Sequence, residues 1–390
     1  MSRWHSYINS TKQVLSLYKV DKPFAAFIKD FFSQHKKYGS GDRKRVSHLC
    51  YCWFRLSAVL KEPTEENILM ALFLCSNESN EVLAQLAPEW NENVHVSLPN
   101  KMALLQYPFT VPAIFPCKDQ LTESIDAETF AASHLTQPDL FLRIRAGQKE
   151  KVLAKLKAGT VLFECYGNDC IALFNATKID DLLLLNKEVV VQDYSSQRIS
   201  EFLALVKLPT GTREPAISVW DCCAASGGKS LLAVDVLGNI NLTVSDVRIS
   251  IIENLRRRFA EAGIHKYNSF VFDLTATFNI QPAAFNLVIA DVPCSGSGTW
   301  GRTPEQLYFF TEDKIDYYAN LQKKIVANVV NHVKKGGYFL YITCSVFKKE
   351  NEEVVDFILA NSKLELIKKE ALIGYHKKAD TMFAALFKAE

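Results

Sequence analysis

The C-terminal half of this 390-residue chain predicts an α/β domain built on a doubly wound, mostly parallel sheet. Three observations predict it. From about residue 205, apolar runs of strand length (AISVWD, NLTVSD, SFVFD, FNLVIAD, GYFLYITC) alternate with amphipathic helical stretches such as ISIIENLRRRFAEAG. That alternation marks parallel strands joined by crossover helices. Four of the runs close on an acid, at Asp221, Asp246, Asp273 and Asp291, and open α/β sheets form their ligand crevice beyond the carboxyl ends of the strands. The first run also leads directly into a glycine loop, CAASGGKS, that opens a helix. One strand-end Asp is often only a helix cap; four converging on one edge mark a site.

The elements before this domain divide in two. Residues 1–125 read as mainly helical: KPFAAFIKDFFSQH places Phe24, Phe27, Ile28 and Phe31 on one buried face. GSGDRKR interrupts the pattern before VSHLCYCWFRLSAVL resumes it, and the polar stretch APEWNENVHVSLPN reads as loop-rich. Residues 126–200 read as a small α/β unit. LFLRIRA, VLFECYG and CIALF alternate as strands, KEKVLAKLKAG is a helix ended by glycine, and EVVVQDYSSQ is a strand followed by a turn capped by Asp193 and Ser195. Residues 201–390 form the larger domain.

Bulk composition narrows the class. Hydrophobic content of 48% with 23% charged residues describes a globular protein, and no apolar run is long enough for a bilayer. The start, MSRWHSYINSTKQVL, lacks the apolar centre of a signal peptide. Ten cysteines without a short framework spacing point to reduced thiols in a cytoplasmic protein. No paired CxxC motifs occur, so no metal site is expected. A net charge of +2 neither announces nor excludes a nucleic-acid partner, because basic residues can cluster on one face.

CAASGGKS, Cys223 to Ser230, nearly matches a phosphate-binding P-loop, with Cys223 where the first glycine belongs. A P-loop NTPase would use Lys229 and Ser230 on a triphosphate and FNLVIAD to hold magnesium. A nucleoside site uses the glycines for close backbone approach and an acid about 20 residues on for the ribose hydroxyls. Asp246 meets that requirement. S-adenosylmethionine carries a cation and no phosphate, so an acid-rimmed crevice suits it better than a triphosphate.

Two cysteines complete the pattern. DVPCSGSGTW puts Cys294 at the exit of the fourth strand, and YITCSVFKKENEE puts Cys344 at the exit of the fifth. Both lie in loops at strand ends, beside the proposed cofactor. The remaining thiols, Cys50, Cys52, Cys75, Cys117, Cys165, Cys170 and Cys222, read as small buried hydrophobes.

DCCAASGGKS, SDVR, DVPCSGSGT and YITCSVFKKENEE together resemble the ordered motifs of the Sun/Fmu (RsmB-like) RNA cytosine-5 methyltransferases. PDLFLRIR, VVVQDYSSQ and DTMFAALFK resemble further segments of that family, and GSGDRKRVSHLCYCWFRL resembles its NusB-like helical domain. The resemblance implies a Rossmann-like S-adenosylmethionine methyltransferase domain, with a small RNA-recognition-like α/β insert and an N-terminal helical region. It implies that Cys344 is the nucleophile, that Cys294 assists release of the adduct, and that Asp291 hydrogen-bonds the cytosine edge. The implied cofactor is S-adenosylmethionine, with Cys223, Ala224, Ala225, Ser226, Gly227, Gly228 and Lys229 expected at the methionine part. Asp246 is expected at the ribose, Asp273 at the adenine amine and Asp291 on the sulfonium side. Lys229, Arg302, Arg43, Lys44 and Arg45 are the expected RNA contacts. The implied partner is RNA, ribosomal before transfer RNA, acted on by a monomer. Ser226 departs from the family's usual proline, and Gly301 stands where many members carry an arginine. A noncatalytic RNA-binding factor on the same scaffold is the alternative, against which the two cysteines and four aspartates argue.

Overall fold

The computed structural model describes residues 2–106, 109–207, 217–276 and 285–390. The chain forms two compact units. One gathers Met1–Asp119, Asp126–Gln137 and Trp300–Thr311; the other gathers Gln120–Ile125, Pro138–Thr299 and Glu312–Glu390.

The first unit is helical. In the helix Phe24–Gln34, Phe24, Ile28 and Phe31 are buried as their spacing predicts, and Phe27 is half-buried. GDRKR does not interrupt the helical pattern: it forms the opening turns of one helix, Ser40–Leu60. The Asp42 carboxylate accepts the Gly39 backbone N–H at 3.0 Å and so caps that helix start. APEWNENVHVSLPN likewise holds the short helix Pro88–Glu92 and the start of Leu98–Leu105. Arg55 is 3% exposed and gathers distant pieces of chain, donating to the carbonyls of His134 (2.6 Å) and Gly301 (3.0 Å) and to Gln137 Oε1 (2.6 Å). The segment 300–311 is therefore part of this core. Trp300 lies 5.5 Å from the Phe115 ring and Phe309 lies 5.4 Å from Tyr18. Residues 126–137, which the sequence groups with the small α/β region, also pack here.

The second unit carries two sheets. The smaller contains β1 (Leu140–Ile144), β2 (Phe163–Tyr166), β3 (Cys170–Leu173) and β4 (Val189–Val191) in the order β2-β3-β1-β4, with every pair antiparallel. One face, with Leu142, Ile144, Ile171 and Leu173, packs on the helix Lys149–Ala158. The other face, with Phe141, Cys170 and Ala172, packs against Tyr194 and Ala379. Single-stranded RNA readers of this sheet type leave such a face open, with aromatics for base stacking. Here it is covered.

The larger sheet contains β5 (Ile217–Asp221), β6 (Ile240–Asp246), β7 (Tyr267–Val271), β8 (Phe285–Asp291), β9 (Val333–Thr343), β10 (Leu364–Leu372) and β11 (Met382–Ala389). Their order is β10-β11-β9-β8-β5-β6-β7, parallel from β9 to β7, with β11 and β10 antiparallel at one edge. Alternate residues feed two apolar layers. Val219, Leu287 and Leu340 face one layer, and Trp220, Val288 and Phe339 the other. The strand order reverses between β5 and β8, and a ligand crevice opens at the carboxyl ends of strands at such a switch point. The fold is a Rossmann-like doubly wound sheet. Among the described residues no helix is long and apolar enough to cross a membrane.

Candidate active site

The glycine loop leaves β5 and enters the helix Gly228–Leu237. Its backbone is folded back on the sheet: Ala224 N donates to Ser245 O at 2.9 Å and Ala225 N to Asp246 Oδ2 at 3.2 Å. Ala225 and Gly227 both have positive φ, 44° and 81°. At Gly227 a Cβ would meet Phe259 at 2.5 Å, so only glycine fits. Ser226 is held by Arg258, whose Nη1 donates to its carbonyl (3.3 Å) and hydroxyl (3.1 Å).

A P-loop would point its hydroxyl and its lysine at a nucleotide and magnesium. Here Ser230 Oγ donates to Asp221 Oδ2 at 2.6 Å, and Lys229 Nζ pairs with Asp291 Oδ2 at 3.1 Å. Both P-loop groups are therefore committed to strand-end carboxylates. Lys229, expected at both the cofactor and the RNA, is 9% exposed and lies in the crevice. Burial works against its charge, but Asp291 and Asp221 outweigh that and hold its pKa above the ordinary lysine value.

Asp221 is the residue whose role the motifs did not assign. It is 0% exposed, and its Oδ1 has no hydrogen-bond partner. Burial pushes its pKa up to about 7, opposed by the Ser230 hydrogen bond. Next along the edge, Asp246 Oδ1 accepts Arg248 N at 3.0 Å. Asp273 lies two residues past β7, exposed, with Oδ1 accepting Thr275 N at 2.9 Å; that turn holds its carboxyl below the usual range. The edge of the sheet thus presents a buried cradle and a row of acids suited to a ligand with an ammonium and a nucleoside.

The two loop cysteines meet at the ends of β8 and β9. Cys344 N donates to Cys294 Sγ at 3.3 Å. The Cys344 thiol is pushed well above the usual thiol range, first by its hydrogen bond with Cys294, then by burial, while Lys229 pulls the other way. Beneath the pair lies Glu350, 0% exposed, accepting from Ser295 N (2.8 Å), Gln322 Nε2 (3.0 Å) and Ser345 Oγ (2.8 Å). One carboxyl therefore clamps both cysteine loops. Burial raises its pKa. Asn351 continues the clamp, accepting from Thr343 Oγ1 (2.6 Å) and donating to Ser345 O (2.9 Å) and to Thr122 Oγ1 (3.0 Å). Glu350 and Asn351 sit within the quoted FKKENEE stretch, but an acid in a lysine-rich run gives no sign that it points inward. Gly298 closes the loop pair, donating to Cys344 O at 2.9 Å and accepting from Thr381 N at 2.9 Å.

The other expected RNA contacts lie in the helical unit. Arg43 Nε donates to Tyr38 O at 2.9 Å and Arg45 Nε to Glu81 Oε2 at 3.1 Å, while Lys44 is exposed and Arg302 half-buried. Cys165 is exposed, unlike the buried role its sequence suggested. Among the described residues no cluster of His, Cys, Asp or Glu could hold a metal ion.

Residues 212–386 match the family described as 16S rRNA methyltransferase RsmB/F. The chain is 31% identical over 196 residues to the ribosomal RNA small subunit methyltransferase B of Xanthomonas campestris pv. campestris, covering 49% of this chain and 43% of that one. It is 28% identical over 175 residues to the mouse tRNA (cytosine(72)-C(5))-methyltransferase NSUN6, covering 41% and 36%. The chain thus spans about half or less of the length of these curated relatives. A crystal structure titled PH0851 shares the fold across 99% of both chains, with a TM-score of 0.73 at 18% identity.

Proposed function

We propose that the protein, whose residues 212–386 match the family described as 16S rRNA methyltransferase RsmB/F, is an S-adenosylmethionine-dependent RNA (cytosine-5)-methyltransferase acting on ribosomal RNA. The contact between Cys344 N and Cys294 Sγ, at 3.3 Å beside the Lys229–Asp291 pair, carries this proposal. The curated relatives' names support RNA as the substrate, ribosomal or transfer.

The residues fit the cofactor. The glycine loop from Cys223 to Lys229 receives the methionine part, and the orphaned Asp221 Oδ1 supplies an acceptor for its ammonium. Asp246 takes the ribose hydroxyls and Asp273 the adenine amine. When bound, S-adenosylmethionine supplies an electrophilic sulfonium methyl. The chain's own residues do the rest. Carbon 5 of cytosine is a poor nucleophile until the Cys344 thiolate bonds to carbon 6 and makes it enamine-like. The Cys344 thiol, whose pKa is raised, gives up its proton to solvent as its sulfur bonds to carbon 6, and the neighbouring Lys229 charge favours the thiolate. Asp291 accepts from the exocyclic amine and holds the ring while carbon 5 takes the methyl. Loss of the carbon 5 proton to a base breaks the Cys344–carbon 6 bond and restores the ring double bond; Cys294 assists this release. The target base must be unpaired or flipped to enter.

Incubation with RNA and S-adenosylmethionine tests this. Cys294→Ala is expected to accumulate a protein–RNA adduct stable to denaturing gels, and Cys344→Ala to lose adduct and methylation together. Methylation by Cys344→Ala would remove the nucleophile. Bisulfite sequencing of RNA with and without the gene then identifies the cytosine.

A further inference from the structure

We propose that Ser295, Ser345 and Glu350 form a proton relay that carries the carbon 5 proton of the methylated cytosine away from the two cysteines. The relay deepens the proposed function and rests on it, because it supplies the base that the release step needs. Asp291 is committed to Lys229 at 3.1 Å, which leaves Glu350 as the acid joined to both cysteine loops.

The hydroxyls stand directly after the cysteines: Ser295 follows Cys294, and Ser345 follows Cys344. Ser295 Oγ donates to Ser345 Oγ at 3.2 Å, and Ser345 Oγ donates to Glu350 Oε1 at 2.8 Å. Ser297 Oγ offers a second route between the same two hydroxyls, at 3.1 Å from Ser295 Oγ and 3.3 Å from Ser345 Oγ. The chain therefore runs from a half-buried hydroxyl beside Cys294 to a carboxyl that is 0% exposed. A hydroxyl donates and accepts at once, so each link receives one proton while passing on its own. Phe347 N donates to Ser345 Oγ at 3.0 Å, which occupies an acceptor site and leaves the Ser345 hydrogen aimed at Glu350. The three donors to Glu350, namely Ser295 N, Gln322 Nε2 and Ser345 Oγ, are all neutral. A neutral acceptor would clamp the loops at less cost, because burying a carboxylate without a cation is expensive. Burial raises the Glu350 pKa against those hydrogen bonds, and a carboxylate so placed takes up a proton more readily than one in water.

The step balances. After methyl transfer the carbon 5–hydrogen bond breaks, and its electron pair forms the ring double bond to carbon 6. The carbon 6–sulfur pair returns to Cys344 as thiolate. The proton passes to Ser295 Oγ as the Ser295 hydrogen moves to Ser345 Oγ and the Ser345 hydrogen moves to Glu350 Oε1. Glu350 ends as the neutral acid, and both serines keep one hydrogen each. Once the product leaves, the chain runs in reverse and the Cys344 thiolate takes the proton back. Ser345 and Glu350 are positioning residues in this scheme, since they act through Ser295.

The test follows adduct formation and decay in a single turnover, by denaturing gel and by tritium release, on small-subunit ribosomal RNA transcribed with 5-tritiated cytidine. Both routes reach Glu350 through Ser345, so Ser345→Ala is the decisive variant. It is expected to form the adduct within about twofold of the wild-type rate and to lose it about 100-fold more slowly, the size of a lost general base. Its affinity for S-adenosylmethionine, measured by calorimetry, is expected to be unchanged. Formation and decay slowed alike, or decay at the wild-type rate, overturns the relay. The wild-type enzyme supplies a second measurement that no folding defect can disturb. Its adduct decay in mixtures of light and heavy water is expected to slow along a bowed curve, because the Ser295 and Ser345 hydroxyl protons move in one step. A straight line overturns the relay. A wild-type protein that forms no adduct on that RNA overturns the proposed function, and the relay with it.

Discussion

Glu350→Ala removes the acceptor on which both cysteine loops converge. Three donors lose it: Ser295 N, Gln322 Nε2 and Ser345 Oγ. Two have substitutes. Gln322 Nε2 also reaches Pro293 O at 3.0 Å, and Ser345 Oγ lies 3.3 Å from Ser297 Oγ. Losing three buried hydrogen bonds to one carboxylate, at about 1 kcal/mol each, costs about 3 kcal/mol together. At about 2–4 °C per kcal/mol for a domain of this size, the melting temperature is expected to fall by about 6–12 °C. Scanning calorimetry measures that fall, and iodoacetamide labelling of Cys344 reads the local effect. Once the clamp opens, the Cys294 hydrogen bond that raises the Cys344 pKa weakens, and labelling near neutral pH is expected to speed up. A melting point within 2 °C of wild type, with unchanged labelling, refutes the clamp.

Two further outcomes follow from particular atoms. The folded-state pKa of Asp221 is raised to about 7, so the native state holds this proton more tightly than the unfolded chain. The stability it contributes is fully present below about pH 4 and lost as pH rises through about 7, by up to about 4 kcal/mol. Denaturant midpoints of Asp221→Asn are expected to lack that decline between pH 4 and 8; a parallel decline in wild type and variant contradicts the assignment. Gly298→Ala would place a Cβ 1.9 Å from Thr381 O and 3.0 Å from Cys344 O. It is expected to cut adduct formation at least tenfold while leaving S-adenosylmethionine affinity within twofold, and calorimetry beside a gel assay separates the two.

Much of the larger domain is legible from the sequence because its parallel strands are buried on both faces and read as continuous apolar runs. β10 is missed for the opposite reason. LELIKKEAL lies at the sheet edge with Glu365, Lys368 and Glu370 along it, and charge on an edge strand hides its periodicity. GDRKR misleads in the same way, since a basic run flanked by glycines looks like a loop until Asp42 is seen capping it. At the site, residue types in loops reveal Cys294, Cys344 and the strand-end acids. They do not reveal burial, which pairs Lys229 with Asp291 and makes Asp221 and Glu350 consequential. Burial depends on contacts between residues far apart in sequence, such as Ser295 with Glu350, and no local pattern encodes them.

The segment Trp300–Thr311 completes the helical unit although it follows β8 of the other unit. Vectorial synthesis makes this a matter of timing. Residues 1–137 leave the ribosome well before Trp300, and at about 5–20 residues per second the wait is about 10–35 s. Through that interval the apolar surfaces of Tyr18, Trp53 and Phe54 that receive Tyr308 and Phe309 stay bare. A stop codon anywhere before residue 300 is therefore expected to yield an incomplete core rather than a free-standing N-terminal domain.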